Sequence, residues 1–84
     1  MGVQKFMKDL RNVQIYYNSV NVFIIPTRYC EGVGMVESEP YFICNFNDMN
    51  NFCLCLMEAY AVTEITIAEP PKNSILQKAV NLNG

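Results

Sequence analysis

Two cysteines and two glutamates with the same spacing are the groups in this chain whose arrangement suggests chemistry. Cys53 and Cys55 are separated by one residue, as are Glu37 and Glu39. Zinc motifs use wider spacing and further ligands, and residues two apart on a helix point away from each other, so free thiols are expected. Two carboxylates on one strand face could perform acid/base catalysis, but acids beside Pro40 at a hairpin edge are more often solvated or paired with a partner's Lys and Arg.

The lack of histidine limits the reactions open to this chain. It removes the commonest general base, the commonest metal ligand and every Ser-His or Cys-His nucleophile. The Gly32-Val33-Gly34 segment lacks the strand-then-helix context of a dinucleotide loop, and no Gly-Lys-Ser/Thr sequence follows it. We therefore expect no catalytic residue, metal or cofactor, and an enzyme using Glu37 and Glu39 ranks far below a binding protein.

The distribution of charge indicates the kind of partner. The net charge is −2, and seven of the eight acids lie between Glu31 and Glu69, a span without Lys or Arg. The basic residues lie on either side of it: Lys5, Lys8, Arg11, Arg28, Lys72 and Lys78. Such a surface repels a phosphate backbone, so nucleic acid is not expected as a direct partner, whereas a basic protein would be attracted. On charge alone, a solvated acidic face ranks first and a patch for a basic protein second.

The candidate partner-binding residues are acids that could form salt bridges and tyrosines that could act as aromatic anchors beside them. They are Glu31, Glu37, Glu39, Asp48, Tyr29 and Tyr41. We expect these side chains to form one negatively charged patch for a cationic protein.

Period-two alternation predicts the strands that position these residues. The predicted strands cover residues 13–17, 20–28, 35–36, 41–46 and 63–68, with turns at Asn18-Ser19 and at residues 31–34. Pro26 lacks a ladder donor, which indicates an edge, a bulge or a strand end. Residues 37–40 interrupt the return strand, as either a bulge or a bend.

A helix is predicted over residues 49–62, capped by Asn47 or Asp48. Its predicted core-facing stripe is Met49, Phe52, Cys53, Leu56, Ala59 and Tyr60. The opposite side carries Leu54 and Cys55, and a short C-terminal helix over residues 75–80 is expected to cover them.

Length and composition predict one domain over residues 1–84. About half of the residues are apolar (51%), so the chain can form a core. Together, the predicted elements give an α+β fold: a small antiparallel sheet of four to five strands packed on one main amphipathic helix, followed by a short C-terminal helix.

The N-terminus lacks the apolar region of a signal peptide, and the longest apolar run, residues 22–26, is far below the roughly 20 residues that span a bilayer. Myristoylation at Gly2 is not expected, because Phe6 stands where that motif has Ser or Thr. A cytoplasmic protein with free thiols and no membrane contact is predicted.

The order of these segments resembles a family. The segments are Val22-Phe23-Ile24-Ile25-Pro26-Thr27 in a hairpin, a turn at Gly32 and Gly34, a Glu39-Pro40 step into the next strand, an amphipathic helix and a terminal Ile75-Leu76-Gln77-Lys78-Ala79. From about Val20 onward, the chain is similar to small immunity proteins of bacterial contact-dependent growth inhibition systems.

This resemblance implies an inhibitor in the cytoplasm of the producing cell. Such a protein binds the basic C-terminal toxin domain of a delivered effector, commonly a nuclease, and blocks its active site or substrate surface. The alternative, from a different class, is an obligate homodimer or a subunit of a larger complex, whose incomplete apolar faces are buried against another chain.

Overall fold

The computed structural model describes residues 4–5 and 12–83 of the chain, with side-chain positions for residues 12–82. The strands are β1 (Gln4–Lys5), β2 (Val13–Tyr17), β3 (Asn21–Cys30), β4 (Gly34–Glu37) and β5 (Phe42–Asn45), and the helices are α1 (Met49–Val62) and α2 (Ile75–Asn83). The expectations about myristoylation at Gly2 and about the charged side chains of Lys5, Lys8 and Arg11 concern parts of the chain outside those described. The predicted α+β fold, with a small antiparallel sheet, one main helix and a short C-terminal helix, is confirmed.

The long strand β3 lies in the middle of the sheet and pairs antiparallel with β2, β4 and β5. The backbone N–H of Thr27 donates to the carbonyl of Asn12 on the β2 side, at 2.8 Å, whereas the N–H of Ser38 donates to the carbonyl of Pro26, at 2.9 Å. Neighbouring residues of a strand direct their backbone groups to opposite edges. The strands β4 and β5 therefore lie together on the edge of β3 away from β2.

A bulge separates β4 from β5. Between the pairs Thr27↔Glu37 and Ile24↔Phe42, β3 has two residues and the opposing segment has four, residues 38–41. The predicted interruption of the return strand is thus a bulge with two extra residues. Its Glu39-Pro40 peptide bond is cis.

This bulge explains how Pro26 fits in the middle of a strand. The carbonyl of Pro26 faces the β4–β5 edge, so its missing N–H would face the same edge. Neither Ile25 nor Pro26 has a register partner there. No ladder hydrogen bond is lost, and β3 continues through the proline.

The main core lies between α1 and one face of the sheet. Val13, Ile15 and Ile24 are buried there against Ala59 of α1. The residues of α1 that pack on this cluster are Phe52, Cys55, Leu56 and Ala59, spaced i, i+3, i+4 and i+7. The opposite face of the sheet is also covered, since Phe23 and Ile25 are fully buried.

The predicted orientation of α1 is wrong in part. Cys53 and Tyr60 are exposed, whereas Cys55 packs on the core cluster. The helix is therefore rotated about its axis relative to the prediction. Both sides of α1 are apolar, so the sequence periodicity alone could not choose between the two orientations.

The segment after α1 also differs from expectation. The predicted strand over residues 63–68 is a turn followed by a single parallel bridge between Ile67 and Cys30. The helix α2 packs against β3, with Ile75 and Ala79 buried. It leaves Leu54 exposed, so the predicted cover of that side chain is wrong.

Candidate protein-interaction surface

The side of α1 that faces away from the sheet is largely apolar and exposed. We call it the outer face of α1; its apolar members are Met49, Cys53, Leu54, Met57, Tyr60 and Ala61, and Asn50 is its polar member. Met57 is at its centre, because Cys53, Leu54, Tyr60 and Ala61 are three or four residues from it along the helix. Relative exposures are 69% for Met49, 60% for Leu54 and 70% for Met57. Exposed apolar clusters are common on surfaces that contact other molecules, which makes this face a candidate interaction surface.

The position of this face follows from the way α1 begins. A carboxylate oxygen of Asp48 accepts a hydrogen bond from the N–H of Asn51, at 3.1 Å, which makes Asp48 the N-cap. The cap fixes the first residue of the helix, and the packing of Ala59 on the sheet fixes its rotation. With those two constraints in place, Met57 must point to solvent.

The outer face of α1 has an acidic rim, which consists of Asp48, Glu58 and Glu64. All three are exposed, and none forms an ion pair with a described residue. Asp48 lies at the amino end of the helix, Glu58 lies one turn from Leu54, and Glu64 follows the carboxyl end. An apolar centre with a charged rim is the usual anatomy of a protein interface.

An apolar groove adjoins the amino end of α1. It has a volume of about 300 Å³ and is lined by Ile15, Tyr17, Val22, Asn45, Phe46, Met49 and Phe52. The ring of Phe46 packs edge-on against Tyr17, with 5.7 Å between the ring centroids. Met49 belongs both to this groove and to the outer face of α1, so the two features form one continuous surface.

The structure does not bring the six sequence-predicted binding residues together. Tyr29 and Glu31 lie at the hairpin between β3 and β4, whereas Asp48 follows β5 at the other end of β3. The ten residues of β3 correspond to about 30 Å of strand. Glu31 and Asp48 are therefore too far apart to contact the same small group of partner residues.

Two of the predicted acids have partners within the chain. Glu37 accepts a hydrogen bond from the Tyr16 hydroxyl, and Glu39 forms an ion pair with Lys78, at 2.6 Å. Burial raises the pKa of Tyr16, and the hydrogen bond to Glu37 and the charge of Glu37 raise it further. The hydrogen bond to Glu39 raises the pKa of Lys78. These carboxylates join parts of the fold, and Tyr41, which is half-buried, lies at the end of the same bulge.

The free thiols occupy different environments. Cys53 is exposed on the outer face of α1, Cys55 is half-buried, and Cys30 and Cys44 are buried. Burial raises the pKa of Cys55, and the nearby carboxylates of Glu58 and Asp48 raise it further. Burial, Cys55 and Asp48 raise the pKa of Cys44 in the same way. A raised pKa disfavours the thiolate, which is the form that binds metals and attacks electrophiles.

The residues that sequence reasoning missed are apolar ones, because it took charge as the indicator of a binding site. The signal was present in the apolar character of both sides of α1, with Leu54, Cys55 and Ala61 opposite the assumed core stripe. Met57 was the informative residue: it is three or four residues from Leu54 and Ala61 on that side and from Cys53 and Tyr60 of the assumed stripe, so the apolar surface continues from one side to the other. Within residues 12–82, no group of three or more Cys, Asp or Glu side chains is arranged to hold a metal ion, and no helix there has the length and apolarity to span a bilayer.

Comparison with known proteins gave no match: no family model, no curated protein and no solved structure is significantly similar to this chain.

Proposed function

We propose that this chain is an inhibitor that binds a basic protein domain through the outer face of α1 and its acidic rim. The exposed apolar centre, with Met57 at 70% exposure, is the observation that carries this proposal. Fully burying one Met or Leu side chain contributes about 1.5–3 kcal/mol. Several such side chains on one helix face can supply the central contacts of an interface.

The acidic rim favours a basic partner over a second copy of the chain. In a two-fold dimer the same surface meets itself. Two antiparallel α1 helices would place Asp48 of one copy near the carboxyl end of the other helix, where Glu64 lies. Like charges facing each other in an interface cost free energy, whereas Lys and Arg of a partner would be attracted to both acids.

The resemblance to immunity proteins supplies the biological setting of the proposal. The partner is then the toxin domain of a delivered effector, and the inhibitor acts in the cytoplasm of the cell that produces both. A nuclease toxin must bind phosphate and is therefore basic, so an acidic surface competes for the same groups. Inhibition follows when the bound domain can no longer admit its substrate.

The proposal predicts that a gene beside the gene for this chain encodes a large secreted effector, and the test uses the C-terminal domain of that effector. Co-expression should protect growing cells from that domain, and the two purified proteins should form a complex. We expect Met57→Lys to lower the affinity at least tenfold, because a cation then faces a basic partner. Lysine and methionine have similar helix propensities, so the fold should be retained.

The matched control is Leu82→Lys on α2. Leu82 is 68% exposed, close to the exposure of Met57, but it lies outside the outer face of α1. This variant should bind as the unmodified chain does. An affinity that is unchanged in Met57→Lys, or a stable dimer of the isolated chain in sedimentation, would overturn the proposal in favour of another surface or of a homodimer.

A further inference from the structure

We infer that the apolar groove beside Phe46 and Met49 is an anchor pocket for one aromatic or large aliphatic side chain of a basic partner. The inference rests on the proposed function and adds the chemistry of the residue that the partner must present. The groove lies where β2 ends and α1 begins, and seven residues line it.

Two walls of the groove, Phe46 and Tyr17, are held by contacts within the chain. The N–H of Phe46 donates to the carbonyl of Val20 at 3.0 Å, which joins the end of β5 to the start of β3. The ring of Phe46 also packs against Tyr17. Walls that are already ordered lose less conformational entropy on binding, which favours an anchor site here.

The chemistry of the lining selects an uncharged occupant. None of the seven lining residues is charged, so a Lys or Arg head group would lose its hydration without gaining a counter-ion. The Asn45 side-chain oxygen accepts the N–H of Asn47, at 2.9 Å. A volume of about 300 Å³ is at the lower end of small-ligand pockets and suits a single large side chain.

The surroundings of the groove select the neighbours of that occupant. Asp48 is exposed and lies in the chain between Phe46 and Met49, which both line the groove. Its carboxylate attracts a cation and repels an anion. The anchor side chain should therefore stand next to Lys or Arg in the partner, and a fatty acid, with a carboxylate at the mouth, should bind poorly.

The experiment compares two peptides by NMR titration of the isotope-labelled chain. One is acetyl-Lys-Lys-Phe-Lys-Lys-amide, and the other has Ala in place of Phe. We expect the Phe peptide to bind at least tenfold more tightly, with chemical-shift changes at Ile15, Val22 and Phe52. Equal binding of the two peptides, or tighter binding of octanoate than of the Phe peptide, would overturn the inference.

A pair of variants tests the location. Phe46→Ala removes one wall of the groove, and Val33→Ala removes an apolar side chain of similar exposure in the distant turn between β3 and β4, 60% compared with 51%. Phe46→Ala should reduce the preference for the Phe peptide to less than threefold, and Val33→Ala should leave it unchanged. Thermal unfolding of both variants checks that the fold persists, and a Phe preference that survives in folded Phe46→Ala contradicts the proposed location.

The same variants separate this inference from the proposed function. If Phe46→Ala binds the effector domain as tightly as the unmodified chain does while Met57→Lys does not, the anchor pocket is refuted and the inhibitor proposal stands. If the effector domain does not bind at all but the Phe peptide occupies the groove, the pocket is supported and the choice of partner is wrong.

Discussion

The Tyr16 hydroxyl on β2 donates a hydrogen bond to a carboxylate oxygen of Glu37 on β4, although β3 lies between these two strands. Tyr16 is opposite Phe23 and Glu37 is opposite Thr27, so both side chains lie on the sheet face that does not contact α1. The long phenol ring of Tyr16 reaches across β3 over the buried Phe23 and Ile25. The contact joins the two strands on either side of β3 on one face of the sheet.

Replacement of Tyr16 by Phe should lower the free energy of unfolding by about 1 kcal/mol, the net contribution of a half-exposed hydrogen bond to a charged acceptor. The ring and its packing remain, so the effect reports the hydroxyl alone. Urea denaturation followed by circular dichroism measures it. Gln77→Ala on α2, an exposed position, serves as the control and should change stability by no more than about 0.5 kcal/mol. Equal stability of Tyr16→Phe and the unmodified chain would show that the hydrogen bond contributes nothing.

The same contact predicts how stability responds to alkaline pH. The pKa of Tyr16 is raised in the folded state, so the folded chain favours the neutral phenol more than the unfolded chain does. This contribution is complete below the unfolded pKa of about 10 and is lost as the pH rises above it. The melting temperature should fall more between pH 9 and pH 11 in the unmodified chain than in Tyr16→Phe. Lys78 has a raised pKa as well and acts in the same direction in both proteins, so the difference between them isolates Tyr16.

Asp48 combines a structural and an electrostatic role, and two substitutions separate them. Asp48→Ala should lower the free energy of unfolding by about 1 kcal/mol, because the N–H of Asn51 loses its acceptor. Asp48→Asn retains a good N-cap and removes the charge, so its stability should be close to that of the unmodified chain. If the acidic rim attracts a basic partner, Asp48→Asn should nevertheless slow association at low salt. Stopped-flow binding to the effector domain measures this rate, and an unchanged rate would remove Asp48 from the rim.

The four thiols should react in an order set by their exposure. Cys53 should react first with Ellman's reagent, and Cys55 should follow more slowly because it is half-buried and its pKa is raised. Cys30 and Cys44 should react only when the chain unfolds. Mass spectrometry of partly labelled protein identifies the sites, and Cys53→Ser should remove the fast phase. Fast labelling of Cys44 would contradict the packing of β5 under α1.

Much of the fold is predictable from the sequence because its signals are strong and local. The alternation in β2 and the cap at Asp48 place both β2 and α1 within the predicted bounds. The return strand is harder to predict. Its bulge lies on the edge of β3 where Pro26 lacks an N–H donor, and the sequence does not show which strand pairs with that edge. The rotation of α1 is not predictable either, since the sheet selects Cys55 and not Cys53 from two apolar sides of similar character.

The candidate site was less predictable, because residues that are close in sequence can lie at opposite ends of a strand pair. Glu31 and Asp48 are close along the chain, yet β4 and β5 together return along the full length of β3 and separate them. Conversely, Phe46 and Tyr17 are distant in sequence and meet at one end of the sheet. Charge patterning predicts only the sign of a partner's charge, which stays a prediction, whereas the location of a contact depends on tertiary structure.

The two groups of acids should therefore affect binding differently. Glu58 and Glu64 are exposed beside the outer face of α1, whereas Glu37 and Glu39 have partners in the chain. We expect Glu58→Gln with Glu64→Gln to slow association with the effector domain severalfold at low salt and to reduce its salt dependence, because long-range attraction steers encounter. Glu37→Gln with Glu39→Gln removes the same formal charge and should have the smaller effect, since the ammonium of Lys78 already offsets Glu39. A larger effect of the second pair would place the contact at the bulge and would favour Glu37, Glu39 and Tyr41 among the six residues predicted from the sequence.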